Sequence, residues 1–304
     1  MKKGFKLVFN LAMFLIVTGF VWYMAKSIGG GDAPEFGRAA QQDEPFESRY
    51  FNAKSFEMPE DVNRFDLHDT KLFVSAGQSI YILDADGNQL SSFSTQPHLR
   101  DITVSGDEIF LLYPAQIAVH HYDSGELLRQ WEACSQLSDY CSFTVAGEAI
   151  YVTDAENKNI CKYTTEGYFV KFIHSPKGFI IPSYSFDIDV WNDTIYCSNS
   201  GRHLIETYTL NGDFIASFGS SGAAAGSFAG CCNPVYIAFT PSGTLITSEK
   251  GIPRISNFQR NGKFNEIWLN NRMLGSRNNA CAVRASEDRL FVAVRNRILI
   301  YQQY

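Results

Sequence analysis

From residue 46 onward the apolar positions come in short runs bounded by Gly, Asn, Asp and Ser, and no stretch keeps a helical period. One kind of run recurs. It reads KLFVSAG at 71–77, EIFLLYP at 108–114, AIYVTDA at 149–155, TIYCSNS at 194–200, TLITSEK at 244–250 and RLFVAVR at 289–295. A further strand and a polar turn follow each: SIYILDADGNQL, IAVHHYDSGEL, NICKYTTEGYFV, LIETYTLNGDF and RISNFQRNGKF, with RILIYQQY at the end. The turns carry Gly87, Gly125, Gly167, Gly212 and Gly262, three of them as Asp-Gly or Asn-Gly hairpin signals.

The repeating unit is an inner strand, a second strand, a third strand, a Gly turn and an outer strand, spaced by about 40–50 residues. That is the arithmetic of a four-stranded β-propeller blade. Six units fit. The sixth stops at its third strand, because the chain ends at Tyr304. The stretch SRYFNAKSFEMP (48–59) precedes the first unit and has strand character, so it is expected to supply the missing outer strand. The expectation is an all-β, six-bladed propeller over residues 46–304, closed by an N-terminal strand.

Ahead of it, Lys2, Lys3 and Lys6 precede an apolar run from Leu7 to Ala25. The run is close to the ~20 residues a membrane-spanning helix needs, and the lysines place the N-terminus inside. Residues 1–28 therefore read as a signal anchor, with a cleaved signal peptide as the alternative, given the small residues around Ala25–Gly29. Residues 29–45 read as a flexible linker. Both alternatives export the propeller, to the periplasmic or extracellular side of a bacterial-type membrane.

Unit five, FGSSGAAAGSFAGCCNPVYIAFTPSGTLITSEKGIPRISNFQRNGKF (218–264), resembles an NHL repeat. Phe218, Gly219, Gly222, Gly226, Phe228, Pro234, Gly243, Arg254, Ile255, Phe258 and Gly262 fall on that family's pattern. In unit three, Asp154 and Asn157 occupy the family's Asp-x-x-Asn loop. Unit five departs from the pattern at Ser248–Gly251 and in its inserted Cys231-Cys232. The resemblance implies a propeller whose relatives include scaffolds, binders of glycans, peptides or RNA, lyases and lactonases, so it carries little functional information by itself.

The formal net charge of −6 and the absence of a basic stripe exclude a nucleic-acid partner from the expectation. Seven cysteines are present. Propeller geometry places Cys134, Cys141, Cys231, Cys232 and Cys281 toward one face. Three readings stand for them. They are disulfide staples, with Cys134–Cys141 and Cys232–Cys281 as candidate pairs; a reduced apolar lining; or a thiol or metal site. An odd count leaves at least one thiol unpaired within the monomer.

The same face carries the candidate ligand-binding residues Cys231, Cys232, Glu249, Lys250, Arg254, Asp154, Asn157, Arg202 and His203. Against each stands the plainer reading of a loop brace or a solvated charge. Asp66, Asp101, Asp187 and Asp189 lie on or beside inner strands, as channel ligands for a divalent cation or as blade-to-blade hydrogen-bond acceptors. No cofactor is specified, and no nucleophile–histidine set or phosphate loop is visible. The functional expectation is a membrane-tethered binding or scaffold module for a protein, peptide or glycan. A metal-dependent lactonase- or lyase-type enzyme and a thiol-based redox or metal-handling accessory are the alternatives.

Overall fold

The computed structural model describes residues 46–304 together with Met13 and Thr18. The expected anchor and linker lie outside the described residues, those two positions aside. Among the described residues no helix is long and apolar enough to cross a membrane.

Residues 47–304 form one compact unit. The chain enters through β1 (Tyr50–Glu57). Blade one follows as β2 (Val62–His68), β3 (Lys71–Ala76), β4 (Ser79–Asp84) and β5 (Gln89–Ser94). Blade two is β6 (Asp101–Ser105), β7 (Glu108–Tyr113), β8 (Gln116–His121) and β9 (Leu127–Glu132). Blade three is β10 (Tyr140–Ala146), β11 (Ala149–Asp154), β12 (Asn159–Thr164) and β13 (Phe169–Ile173). Blade four is β14 (Ile188–Trp191), β15 (Thr194–Asn199), β16 (Leu204–Thr209) and β17 (Phe214–Phe218). Blade five is β18 (Tyr236–Phe239), β19 (Leu245–Glu249), β20 (Arg254–Phe258) and β21 (Phe264–Leu269). The last three strands are β22 (Val283–Ala285), β23 (Arg289–Val294) and β24 (Arg297–Gln303).

Each group forms its own four-stranded sheet, and the sixth has the order β1-β24-β23-β22. Every strand pair is antiparallel, and β1 runs against β24 from Tyr50↔Gln303 to Glu57↔Arg297 with one irregularity between Asn52 and Lys54. The first strands touch in sequence, β2 to β6, β10, β14, β18 and β22, and β22 returns to β2. The result is a six-bladed propeller.

Burial explains the sequence pattern. Second strands such as β3 and β23 are buried at all but their first residue, because a neighbouring blade covers each face. Outer strands face solvent, and β17 is exposed at four of its five residues. Cores form between blades. Phe110, Leu112, Ile117 and Val119 of blade two pack with Tyr140, Phe143, Ile150, Val152, Cys161 and Tyr163 of blade three.

The turn glycines serve the same packing. Gly167 has φ +93, and a Cβ there would come within 2.6 Å of the Trp131 indole on the preceding blade. Gly87 repeats the contact with Phe56 of β1. A side chain would thus meet both a strained backbone and an aromatic wall.

The connectors between blades differ greatly. Those at 58–61, 95–100 and 133–139 are short, whereas those at 174–187, 219–235 and 270–282 are long. The last holds a one-turn helix, α1 (Asn271–Leu274), whose N-cap Asn270 side chain accepts from Met273 N. The Asn233–Pro234 peptide is cis.

Candidate functional site

The connectors and the loops from second to third strands meet at one mouth of the central channel. A cavity of about 280 Å³ opens there. Its wall is built from the mouth ends of first strands and from connectors both short and long. Asn63 and Arg64 come from β2, Leu99 and Arg100 from the end of 95–100, and Cys141 from β10. Ser183, Tyr184, Ser185 and Phe186 come from connector 174–187, and Val235 and Tyr236 from the start of blade five.

Arg64 is the pivot. Its guanidinium lies 3.6 Å from Asp101 and 3.3 Å from Asp187, and 4.2 Å above the Tyr236 ring. Burial works against its charge, but Asp101, Tyr236 and Asp187 outweigh that and hold its pKa above the ordinary value. It spans from blade one to blade four across the channel. Arg284 of blade six pairs with Asp66 at 2.9 Å.

The four inner-strand carboxylates link blades. Asp66 Oδ2 accepts from Val104 N at 2.9 Å, Asp101 Oδ2 from Phe143 N at 3.2 Å and Ser142 Oγ at 2.6 Å, and Asp187 Oδ2 from Ile237 N at 2.7 Å. Each of these backbone donors belongs to the next blade's first strand. Asp189 is less committed. It accepts from its neighbour's Val190 N at 2.8 Å and from Thr144 Oγ1 at 3.5 Å. Burial pushes its carboxyl up to about 7, against the opposing charge of Arg284. Among the described residues no group of three or more His, Cys, Asp or Glu side chains converges in a way that would hold a metal ion. Of the two readings for the channel carboxylates, the contacts of Asp66, Asp101 and Asp187 are those of blade-to-blade hydrogen-bond acceptors, each also paired with an arginine.

Above the cavity, Ser183 and Tyr184 adopt left-handed backbone angles, φ +61 and +56. Two adjacent non-glycine residues in that region are costly, and such conformations cluster where a side chain must be presented in one direction. Tyr184 is half exposed at the rim, and the Arg100 guanidinium sits 5.6 Å from its ring centroid while pairing with Asp139 at 3.2 Å.

The candidates read from the sequence take other places. Glu249 and Arg254 are buried and form a two-pronged ion pair at 2.8 and 2.9 Å. Burial raises the Glu249 carboxyl while Arg254 opposes the shift. Arg254 also donates to the carbonyls of Ala223, Ala224 and Ser227, so the pair braces connector 219–235. Asp154 is buried and accepts from Asp139 N and Asn157 N, and Asn157 Nδ2 returns to Asp154 and reaches Ser138 Oγ. Arg202 donates to the carbonyls of Gly178 and Lys177, and His203 Nε2 to that of Gly230 at 2.6 Å. These side chains hold the connectors in place rather than line the cavity. Lys250 comes nearest to a ligand role, its Nζ lying 3.4 Å from Ser185 Oγ on the cavity wall.

All seven thiols are free in the structure. Neither expected pair is joined. Cys134 Sγ lies 3.7 Å from Cys161 Sγ, and Cys141 Sγ donates to the Asp139 carbonyl at 3.8 Å. Cys281 Sγ approaches the Asn279 carbonyl at 3.9 Å. The Cys231 and Cys232 sulfurs are 2.7 Å apart.

Sequence reading missed Arg64, Arg100, Tyr184 and Tyr236. Arg64 left a trace, a basic residue two positions from Asp66 on an otherwise inward strand. Tyr184 left none, because its direction depends on backbone angles.

No family model matches the chain, and no curated protein matches it in sequence. Solved structures do match in shape. Virginiamycin B lyase from Staphylococcus aureus, in its selenomethionine form, is 14% identical with a TM-score of 0.61, over 84% of this chain and 100% of that one. A catalytically inactive histidine-to-alanine variant of that lyase with quinupristin gives 13% and 0.60, over 84% and 100%. A streptogramin B lyase gives 16% and 0.58, over 85% and 90%. At such identities the likeness shows the shared fold.

Proposed function

We propose that the chain is a membrane-tethered, exported propeller that binds a polar ligand of peptide or glycan class at the channel mouth. The ring is latched by β1 and the tether is the apolar run Leu7–Ala25; the repeats are of NHL type. One observation carries the reading. The cavity is walled by Arg64, Arg100, Tyr184 and Tyr236, two guanidiniums beside two aromatic rings, on rigid strand ends and a braced connector. Such a wall offers hydrogen-bond donors at its base and an aromatic surface at its rim, the usual make-up of a small-ligand site. The channel carboxylates are mostly committed to holding blades together, which favours binding over metal-assisted catalysis.

The test is a binding screen of the full-length chain in detergent against peptide and oligosaccharide panels. Ligands found this way should lose at least tenfold in affinity on Arg100→Ala and on Tyr184→Ala. Unchanged affinity in both variants would sink the reading.

A second reading rests on Asp189. A carboxyl that titrates near neutrality inside a channel suits general acid–base chemistry, and the structural neighbours are lyases. Among the described residues no histidine lines the cavity, in contrast to a neighbour that a histidine-to-alanine change inactivates. Incubation with quinupristin and mass analysis of the products checks this reading. Turnover abolished by Asp189→Asn would support it, and an intact compound would count against it.

A further inference from the structure

Cys231 and Cys232 have no part in the cavity wall, yet their surroundings are built. On the N-terminal side His203 Nε2 holds the Gly230 carbonyl, and Arg254 holds those of Ala223, Ala224 and Ser227. On the C-terminal side Asn233 clamps Lys250 through two hydrogen bonds, Nδ2 to the Lys250 carbonyl at 2.8 Å and Lys250 N to Oδ1 at 2.9 Å. Between these anchors the two sulfurs stand 2.7 Å apart. Cys231 is exposed and Cys232 fully buried. Cys232 Sγ also touches Ser183 Oγ at 3.7 Å, so the pair is in contact with the segment that presents Tyr184.

We infer that Cys231 and Cys232 form a reversible vicinal disulfide on the mouth rim, and that its state is passed through Ser183 to the cavity. The inference rests on the exported location proposed above.

The oxidant is a disulfide of a thiol–disulfide exchange partner. The exposed Cys231 thiolate attacks one partner sulfur, forming a mixed disulfide and releasing the first partner thiolate. Cys232 then attacks the Cys231 sulfur, closing the ring and releasing the second. The two thiol protons end on the two partner thiolates, and two electrons pass to the partner. The order follows access. Only Cys231 can meet a partner, while burial keeps Cys232 from an external disulfide and leaves it the second, intramolecular step.

Oxidation has a defined local consequence. In the dithiol either the Cys232 sulfur or the Ser183 hydroxyl can donate across their contact. In the disulfide the sulfur can only accept, so the hydroxyl must turn toward it. Connectors 174–187 and 219–235 are then joined in one orientation beside Tyr184.

The test uses the full-length chain recovered from cells with acid quenching and thiol alkylation. Trypsin leaves residues 203–250 as one peptide, which holds both cysteines and no other. The expected result is an unalkylated peptide lighter by two hydrogens, taking up two alkyl groups after reduction. A peptide alkylated on both sulfurs without reduction, even after equilibration with oxidised glutathione, overturns the inference, as does linkage to a peptide carrying Cys134 or Cys281. A pair that is reduced in cells but closes in the glutathione buffer keeps the inferred chemistry and places the fault in the export reading. A Tyr184→Trp reporter supplies the second measurement. Its emission should shift between oxidised and reduced forms and should not respond in Tyr184→Trp/Cys231→Ser. Identical emission in both states of the reporter overturns the link to the cavity.

Discussion

One side of the mouth is bounded by the short connectors 58–61, 95–100 and 133–139, the other by the long connectors 174–187, 219–235 and 270–282. The blades beneath are alike in strand order on both sides. The short side needs little support. Asp154 and Asn157 fix connector 133–139 to its own blade. On the long side each connector has dedicated braces: Asn199 and Arg202 for 174–187, Glu249 and Arg254 for 219–235, and Ser248, which accepts from Cys281 N, for 270–282. Long backbone segments near a core must satisfy their polar groups somewhere. The added length on one side is therefore matched by buried polar side chains. It is also the side that brings Tyr184 and the paired thiols to the mouth.

The largest effect should come from breaking the deepest brace. Arg254→Met leaves Glu249 buried without its partner, which costs about 3–5 kcal/mol. Urea unfolding should show that loss, and limited proteolysis should cut first within 219–235. The double change Glu249→Leu/Arg254→Met removes both charges and should recover part of the stability. The matching change on the short side, Asp154→Ala, strips the acceptor from Asp139 N and Asn157 N and should cost about 2 kcal/mol. Equal losses at the two sites would dissolve the distinction between the sides.

That distinction was half visible in the amino-acid pattern. The ring could be read because strand burial repeats. KLFVSAG and its five counterparts are apolar on both faces for one reason, packing between blades, and period and turn glycines carry that reason into sequence. A strand within 48–59 was legible too, and the structure has one at Tyr50–Glu57. The site was not legible in the same way. Glu249, Arg254, Asp154, Asn157, Arg202 and His203 hold connectors and loops in the structure, and sequence cannot tell a side chain that reaches a ligand from one that turns back to a carbonyl. Arg254 shows the difficulty: its charge suggested recognition, and its geometry spends its donors on Glu249 and on the loop above it. Tyr184 went unseen because φ +56 is a property of the folded backbone.

The channel gives a pH-dependent effect. The Asp189 carboxyl lies above its unfolded value, at about 7. The folded state then holds this proton more tightly than the unfolded chain does. Its contribution is full below about pH 4 and is lost as pH rises through about 7. Asp189→Asn should thus be more stable than the wild type at pH 8, on the order of 4 kcal/mol, and should converge with it near pH 4. Thermal unfolding at the two pH values measures the difference. A constant offset across the range would mean that Asp189 titrates as an ordinary surface carboxylate, as it would on an open rim.

The smallest effect on stability is the one that sharpens the comparison most. Tyr184 is half exposed, makes no side-chain hydrogen bond to its connector among the described residues, and sits in a strained left-handed conformation. A residue kept there for stability would be expected to repay its strain with burial, and Tyr184 does not. Tyr184→Ala should therefore change unfolding free energy by no more than about 0.5 kcal/mol, while Tyr184→Gly, which removes the strain, should raise it by about 1 kcal/mol. If the alanine variant instead loses as much as Asp154→Ala, Tyr184 is one more brace, and the long side of the mouth is scaffold throughout. If stability holds while ligand affinity falls, the long connectors exist to place that ring over Arg100, and the braces beneath them exist to keep it there.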